Sequence, residues 1–399
     1  MPFFHALLLA AMGGLDPQES AAEPLPKLRV YILAGQSNMQ GHAALSTIPA
    51  LGDDPQTAAL LAEMRAPDGS LRSAERVWIS SVGCAGDGWS EVIEQHGLLA
   101  PGYGASAEKI GPEYSLGLTL EKLYPGPILL IKTAWGGRSL HTDFRPPSAG
   151  PYAWSDFEVA RIAERGQDLV EIQATKALET GHFYRAMLGH VRQVLADIPR
   201  VVPGFEAEQG FEIAGFVWFQ GFNDYVSDWT YERQMEPDGY GLYTQLLAHL
   251  IRDVRRDLGV PDLPWVIGTL GVGGVAAGRQ PPLQGFRRAQ LAVAKLPEFE
   301  GNVAVVDTER FWDPQLEALR ERWEALIHEL DQREEQRPSP TPQAREAAQL
   351  RALKQRFTAA ELKRLDGSSD AAYHYLGAAK ILAPIGQAFA EALVALAPR

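Results

Sequence analysis

The sequence predicts an α/β fold, a three-layer α/β/α sandwich with helices on both faces of a mostly parallel sheet. Three observations carry this. Short apolar runs recur that are apolar from end to end, the pattern of strands buried on both faces. Stretches with helical spacing alternate with them, as right-handed crossovers between parallel strands require. Each run also stops at a glycine or a polar cluster, and in open α/β sheets the active crevice lies outside the carboxyl ends of the strands.

Strands are expected at 28–34, 76–81, 127–133, 213–219, 265–270 and 303–307. Helices are expected at 114–123, 184–196, 243–258 and 286–294, with an amphipathic helix at 381–396 closing the chain. One segment departs from the alternation. From 314 to 366 the chain turns charged and helical, with Leu316, Leu319, Trp323, Leu326, Ile327 and Leu330 on one stripe. The breaker RPSPTP follows at 337–342, and then Leu350, Leu353, Phe357 and Leu362. This reads as a helical hairpin inserted into an otherwise continuous domain spanning 26–399, and serving as a structural flap, a substrate lid or an oligomer contact. No internal repeat is present, and oligomeric state has no sequence signature.

Bulk properties narrow the function. With 399 residues, 46% of them hydrophobic, the chain can bury a full core, which excludes global disorder. A formal charge of -13 offers no footprint for nucleic acid or an anionic membrane. The single cysteine, Cys84, cannot form an internal disulfide. Residues 3–12 (PFFHALLLAA) have the length and order of a secretory signal and are too short to span a bilayer, so a secreted or periplasmic enzyme is expected from about residue 26 onward.

The residues able to carry chemistry lie at the strand ends. The first strand runs into Gly35-Gln36-Ser37-Asn38-Met39, which places a serine at a strand-to-helix turn where outward backbone N–H groups can stabilise an oxyanion. The strand at 127–133 ends in Ala134-Trp135-Gly136-Gly137-Arg138, and that at 213–219 in Gln220-Gly221-Phe222-Asn223-Asp224. Read alone, these are turn chemistry: paired glycines for positive φ, Asn-Asp after a strand. His374 sits in Tyr373-His374-Tyr375-Leu376-Gly377, just before the closing helix.

Taken together, GQSNM at 35–39, the glycine pair, the Gly-x-Asn-Asp block at 221–224 and a late histidine resemble the sialate O-acetylesterase-like branch of the SGNH (GDSL-type) hydrolases. Ile110-Gly111-Pro112-Glu113 and Phe286-Arg287-Arg288-Ala289-Gln290 look like the helix-opening segments of that family, and the 314–366 insertion lies outside the resemblance.

The resemblance implies a flavodoxin-like sheet and a serine esterase that needs no cofactor, acting on an acetylated carbohydrate. Ser37 would be the nucleophile and His374 its base. The oxyanion hole would combine the Ser37 N–H, the N–H of Gly137 or Gly136, and the Asn223 side chain. Gln36, Gln220, Arg138 and Tyr373 would contact substrate. The family's Glu after Gln-Gly is Phe222 here, and its acid three residues before the histidine is Ala371. Asp370, one residue further back, is therefore the expected third member, with Asp366, Asp307, Asp224 or a Ser-His dyad as alternatives.

Competing signals are poorer. Gly271-x-Gly273-x-x-Ala276 follows a strand, but Pro281 and Pro282 block the helix a dinucleotide fingerprint must open. No HExxH motif, phosphate loop or clustered Cys and His indicates a metal. Trp89, Trp135, Phe222, Tyr225, Trp229, Tyr373 and Tyr375 are able either to stack on a sugar ring or to anchor the core. The displaced acid also keeps open a carbohydrate-binding protein whose catalysis has decayed, and the superfamily keeps open a lipid or thioester hydrolase. Substrate choice is expected in the loops at 42–75, 85–110 and 141–182, where no motif is legible.

Overall fold

A computed structural model describes residues 26–84, 92–335 and 341–397. The secretory signal expected at 3–12 and Trp89 lie outside the described residues. Seven strands form one sheet: β1 (Leu28–Gly35), β2 (Val77–Cys84), β3 (Val92–Leu98), β4 (Ile128–Ala134), β5 (Phe211–Phe219), β6 (Trp265–Gly268) and β7 (Val303–Val306). Their order is β3-β2-β4-β1-β5-β6-β7, and every neighbouring pair is parallel except β2 with β3.

All six expected strands are present. The run at 265–270 leaves the ladder early, at Gly268. β3 was not expected: its VIEQHGL is too polar for a central strand, and it stands at the sheet edge, where one ladder partner suffices.

The larger helices are α1 (Pro112–Leu123), α2 (Asp156–Glu164), α3 (Leu169–Glu179), α4 (His182–Ala196), α5 (Gly241–Leu258), α6 (Leu283–Val293), α7 (Pro314–Glu335), α8 (Pro342–Arg356), α9 (Ala359–Leu365) and α10 (Ala379–Leu396). α2 and α3 fill the region at 141–182. They carry legible starts: Ser155 and Glu158 form a capping box, and Asp168 caps the Val170 and Glu171 N–H groups.

The alternation of side chains along β1 sorts the helices into layers. Leu28, Val30, Ile32 and Ala34 face a core shared with α4, α5 and α6, while Tyr31 and Leu33 face a second core shared with α1 and α10. α10 is, among the described residues, the one helix long and apolar enough to cross a membrane, and its buried face lines that second core.

The insertion forms a small core of its own from Leu319, Leu326 and Phe357, with Trp323, Leu330, Leu353 and Leu362 packed against it. Leu316 joins the main body instead, and Leu350 is half exposed, outside the expected stripe.

Candidate active site

β1 lies between β4 and β5, so the three polar strand ends converge at the centre of the sheet. Gly35 is squeezed there: a Cβ would fall 2.2 Å from the Phe219 carbonyl oxygen. Ser37 then opens a single helical turn, Ser37–Gln40, whose first N–H groups lack intrahelical acceptors. A buried ion pair pins this turn, because Lys132 Nζ donates to the Gln40 carbonyl at 2.7 Å and to Glu113 Oε2 at 2.8 Å. Burial lowers the Lys132 pKa, and the charge of Glu113 opposes the drop. A lysine inside the apolar run of β4 was the available signal for this support.

The glycine pair follows β4. A Cβ at Gly136 would lie 3.9 Å from the Ser37 Cβ, whereas at Gly137, with φ +73, nothing lies within 4 Å. Gly136 is therefore the nearer neighbour of Ser37. Beside it, Gln36 binds the 220–223 turn: its Oε1 accepts from Gln220 Nε2, Gly221 N and Asn223 N at 3.1, 3.1 and 3.3 Å, and its Nε2 donates to Asn223 Oδ1 at 2.8 Å. With Oδ1 engaged, the Asn223 amide nitrogen is the end left for a ligand.

Gln220 requires a correction. It is buried with its Nε2 donating to Gln36, to the Arg138 carbonyl and to Asp224, while its Oε1 accepts from Tyr243, so it braces the site from behind instead of facing substrate. Gln36 is buried as well, and although it lines the cavity its side chain is engaged in bracing.

Asp224 is no partner of the histidine. It accepts from Leu140 N, His141 N, Gln220 Nε2 and Tyr231 OH, and so clamps the chain just after the glycine pair. Burial pushes its pKa up to about 6 against the pull of those donors. Asp307 accepts from Thr269, and Asp366 ends α9; neither bonds the His374 ring.

Asp370 does, with His374 Nδ1 3.1 Å from its Oδ1. The reach across the extra residue comes from the turn between the two, closed by His374 N–H donating to the Ala371 carbonyl at 3.0 Å; beyond His374, Tyr375 (φ 53) and Leu376 (φ 59) are left-handed. Each such residue costs on the order of 1 to 2 kcal/mol, offset here by burial and by Tyr375 OH, which accepts from Gly271 N at 2.7 Å and lies 2.8 Å from Thr308 Oγ1. Tyr375 is thus a core anchor and not a sugar-stacking ring; Trp135 is likewise buried. The Gly-rich loop at 271 has its use in that anchor.

Burial opposes ionisation of Asp370, but hydrogen bonds from His374, His42 and the Ala371 N–H outweigh it and hold the carboxyl well below the usual range. His42 went unnoticed in the sequence. Its Nδ1 lies 3.2 Å from Asp370 Oδ2, its ring stacks on that of His374 at 3.9 Å, and Lys109 Nζ lies 3.2 Å from both His42 Nδ1 and Asp370 Oδ2. Among the described residues, His42, Asp370 and His374 are the one group whose ligand atoms lie close enough to share a metal ion. The Lys109 ammonium already places a cation against two of those three.

A cavity of about 580 Å³ is lined by Ser37, Gln36, His42, Gly136, Gly137, Arg138, Asn223, Phe222, Tyr373 and His374. Arg138 lies 3.7 Å from Asp143 with its guanidinium over Phe183, and Tyr373, 46% exposed, packs beside Phe222. Tyr225 packs against Phe222 and Phe286, while Trp229 lies under Arg161 and Arg165. A larger cavity, about 670 Å³, lies where the insertion meets the body and contains none of these residues.

Residues 27–315 match the family described as carbohydrate esterase, sialic acid-specific acetylesterase. The matched span includes Ser37, the glycine pair and Asn223 and stops before Asp370 and His374. Two solved structures are similar at low identity. A protein from Arabidopsis thaliana is 18% identical over 71% of this chain and 86% of its own, with a TM-score of 0.37. A carbohydrate acetylesterase from Xanthomonas citri is 15% identical over 69% of this chain, with a TM-score of 0.37; the chain spans 49% of its length. No curated protein matches the sequence.

Proposed function

Because the chain belongs to the sialic acid-specific acetylesterase family of carbohydrate esterases, we propose that it hydrolyses O-acetyl or similar short acyl esters of carbohydrates through Ser37 and His374. The observation that carries this reading is one cavity holding Ser37, Asn223 and a His374 whose Nδ1 bonds Asp370. A carboxylate on Nδ1 directs the basic lone pair to Nε2, the nitrogen a nucleophilic serine needs.

His374 Nε2 takes the Ser37 Oγ proton as Oγ attacks the ester carbonyl. The Ser37 and Gly136 (or Gly137) N–H groups and the Asn223 amide receive the oxyanion. As the tetrahedral intermediate collapses, the bond to the sugar oxygen breaks and His374 gives that oxygen its proton. Water, deprotonated by His374, then attacks the acyl carbon; the bond to Ser37 Oγ breaks, the acid leaves and His374 returns its proton to Oγ. Among the described residues no hydrogen bond joins Ser37 Oγ to an imidazole. Such bonds are often long in substrate-free sites and shorten in the complex. Phe222 and the exposed Tyr373 offer a sugar an aromatic wall at the cavity mouth.

The displaced acid, which favoured a decayed binding protein, loses its force once Asp370 meets the ring. The test is p-nitrophenyl acetate turnover by wild type, Ser37→Ala, His374→Ala and Asp370→Asn at neutral pH. Loss of about 10⁴-fold or more is expected in the first two variants, and a large loss in the third from the wrong imidazole tautomer. Wild-type turnover that does not depend on Ser37 would sink the reading. A preference for long acyl chains would point to a lipid or thioester hydrolase instead.

A further inference from the structure

We propose that His42 and Lys109 are positioning residues of the base: His42 carries the His374 ring on its face and shares Asp370 with it, and Lys109 holds the far oxygen of that carboxylate. The inference rests on Ser37 and His374 being the hydrolytic pair.

Asp370 divides its two oxygens. Oδ1 receives His374 Nδ1 at 3.1 Å and the Ala371 N–H at 2.8 Å, while Oδ2 faces His42 Nδ1 and Lys109 Nζ, each at 3.2 Å. A carboxylate anchored at one oxygen only can swing about its Cβ–Cγ bond. Anchored at both, it keeps Oδ1 where the His374 ring needs it.

The stack adds a second constraint. The two imidazoles lie 3.9 Å apart and 14° from parallel, so His42 fixes the plane of His374 as Asp370 fixes its direction. Burial and the neighbouring Lys109 and His374 favour the neutral form of His42. When His374 takes the serine proton it becomes a cation lying against the π-face of a neutral ring, an attractive arrangement that exists only after proton transfer.

Chain connectivity gives the assembly its purpose. His42 lies just beyond the nucleophile's turn, and Ala43–Ala44 pairs antiparallel with Lys109–Ile110. Ser369 Oγ accepts from Ala44 N at 3.0 Å and donates to the Gly377 carbonyl at 2.8 Å. The base loop, far along the chain, is thereby fastened to the segment that carries Ser37.

The experiment compares kcat and KM for p-nitrophenyl acetate in wild type, Ser37→Ala, His42→Phe, His42→Asn and Lys109→Met, each checked by circular dichroism. His42→Phe keeps a ring face and loses the bond to Asp370; His42→Asn keeps a donor and loses the stack. Each His42 variant is expected to lower kcat on the order of tenfold with KM changed less than about twofold, and Lys109→Met to lower it severalfold. The Lys109 side chain is partly exposed, so this variant carries the test should a His42 variant fail to fold. A kcat within about twofold of wild type in every folded variant, with Ser37→Ala inactive, overturns the inference and leaves the hydrolytic reading standing. A wild type without Ser37-dependent turnover overturns both.

Discussion

Ser37, Gly136 and Asn223 stand on the carboxyl ends of three adjacent strands at the centre of the sheet, whereas His374 and Asp370 stand on a tight turn outside it, after the helical insertion. The first half is braced by buried groups, through the amides of Gln36 and Gln220, the Asp224 carboxyl and the Lys132–Glu113 ion pair. The second is braced by charges and rings that are partly open to solvent, through Asp370, His42 and Lys109. The proposed oxyanion donors must be in place before charge develops, and backbone set by strand ends supplies that rigidity. The proposed base instead becomes charged twice in each cycle, and ionic partners near solvent accommodate such changes at lower cost than a dry interior would.

Three substitutions can break or sharpen the contrast. Asn223→Ala has the largest expected effect: kcat falls on the order of 10² to 10³-fold, as for loss of one oxyanion donor, with KM little changed. If kcat and KM hold, the oxyanion is received elsewhere and the sheet half is not the hole.

Asp224 sets the second. Its pKa in the folded protein, about 6, lies above the ordinary 3.8, so the fold favours its protonated form. Its contribution to stability is fully present below the unfolded value and is lost as pH rises through about 6. The shift corresponds to about 3 kcal/mol. Urea denaturation at pH 4, where part of the contribution is already lost, and at pH 7 should show wild type losing about 2 kcal/mol more stability than Asp224→Asn over the interval. Equal pH dependence in the two proteins would mean that the four donors keep the carboxylate ionised throughout.

Ser369→Ala is the smallest, costing about 1 kcal/mol in urea denaturation through the lost bonds to Ala44 and Gly377. Activity should fall with it, because the base loop is fastened there. Unchanged activity would show that Asp370, His42 and Lys109 hold the loop alone.

What was legible follows the same division. Each part of the sheet half lies in a contiguous block at a strand end, GQSNM, WGGR or QGFND, so local pattern was enough. His374 was legible from its place before the closing helix. Asp370 stood one residue out of step with the family, and its reach depended on a turn at 371–374 that no periodic pattern marks. Gln220 was misread as a substrate contact because an amide in a site loop looks the same whether it points forward or back. Tyr375 was ambiguous for a similar reason: only the acceptors around it reveal that its hydroxyl is buried.

Taken alone, then, the residue order determined the α/β layering and the strand ends that meet at the candidate site, and it pointed to the proposed nucleophile, base and oxyanion donor. These depend on the period of apolar residues and on local turn chemistry, both written within a few neighbours. Only the tertiary structure decided which carboxylate meets the histidine, that His42 lies against it and that Lys109 reaches both. Those contacts join residues 42, 109 and 370, brought together by a two-residue strand pairing and a loop bond that leave no periodic trace in the chain.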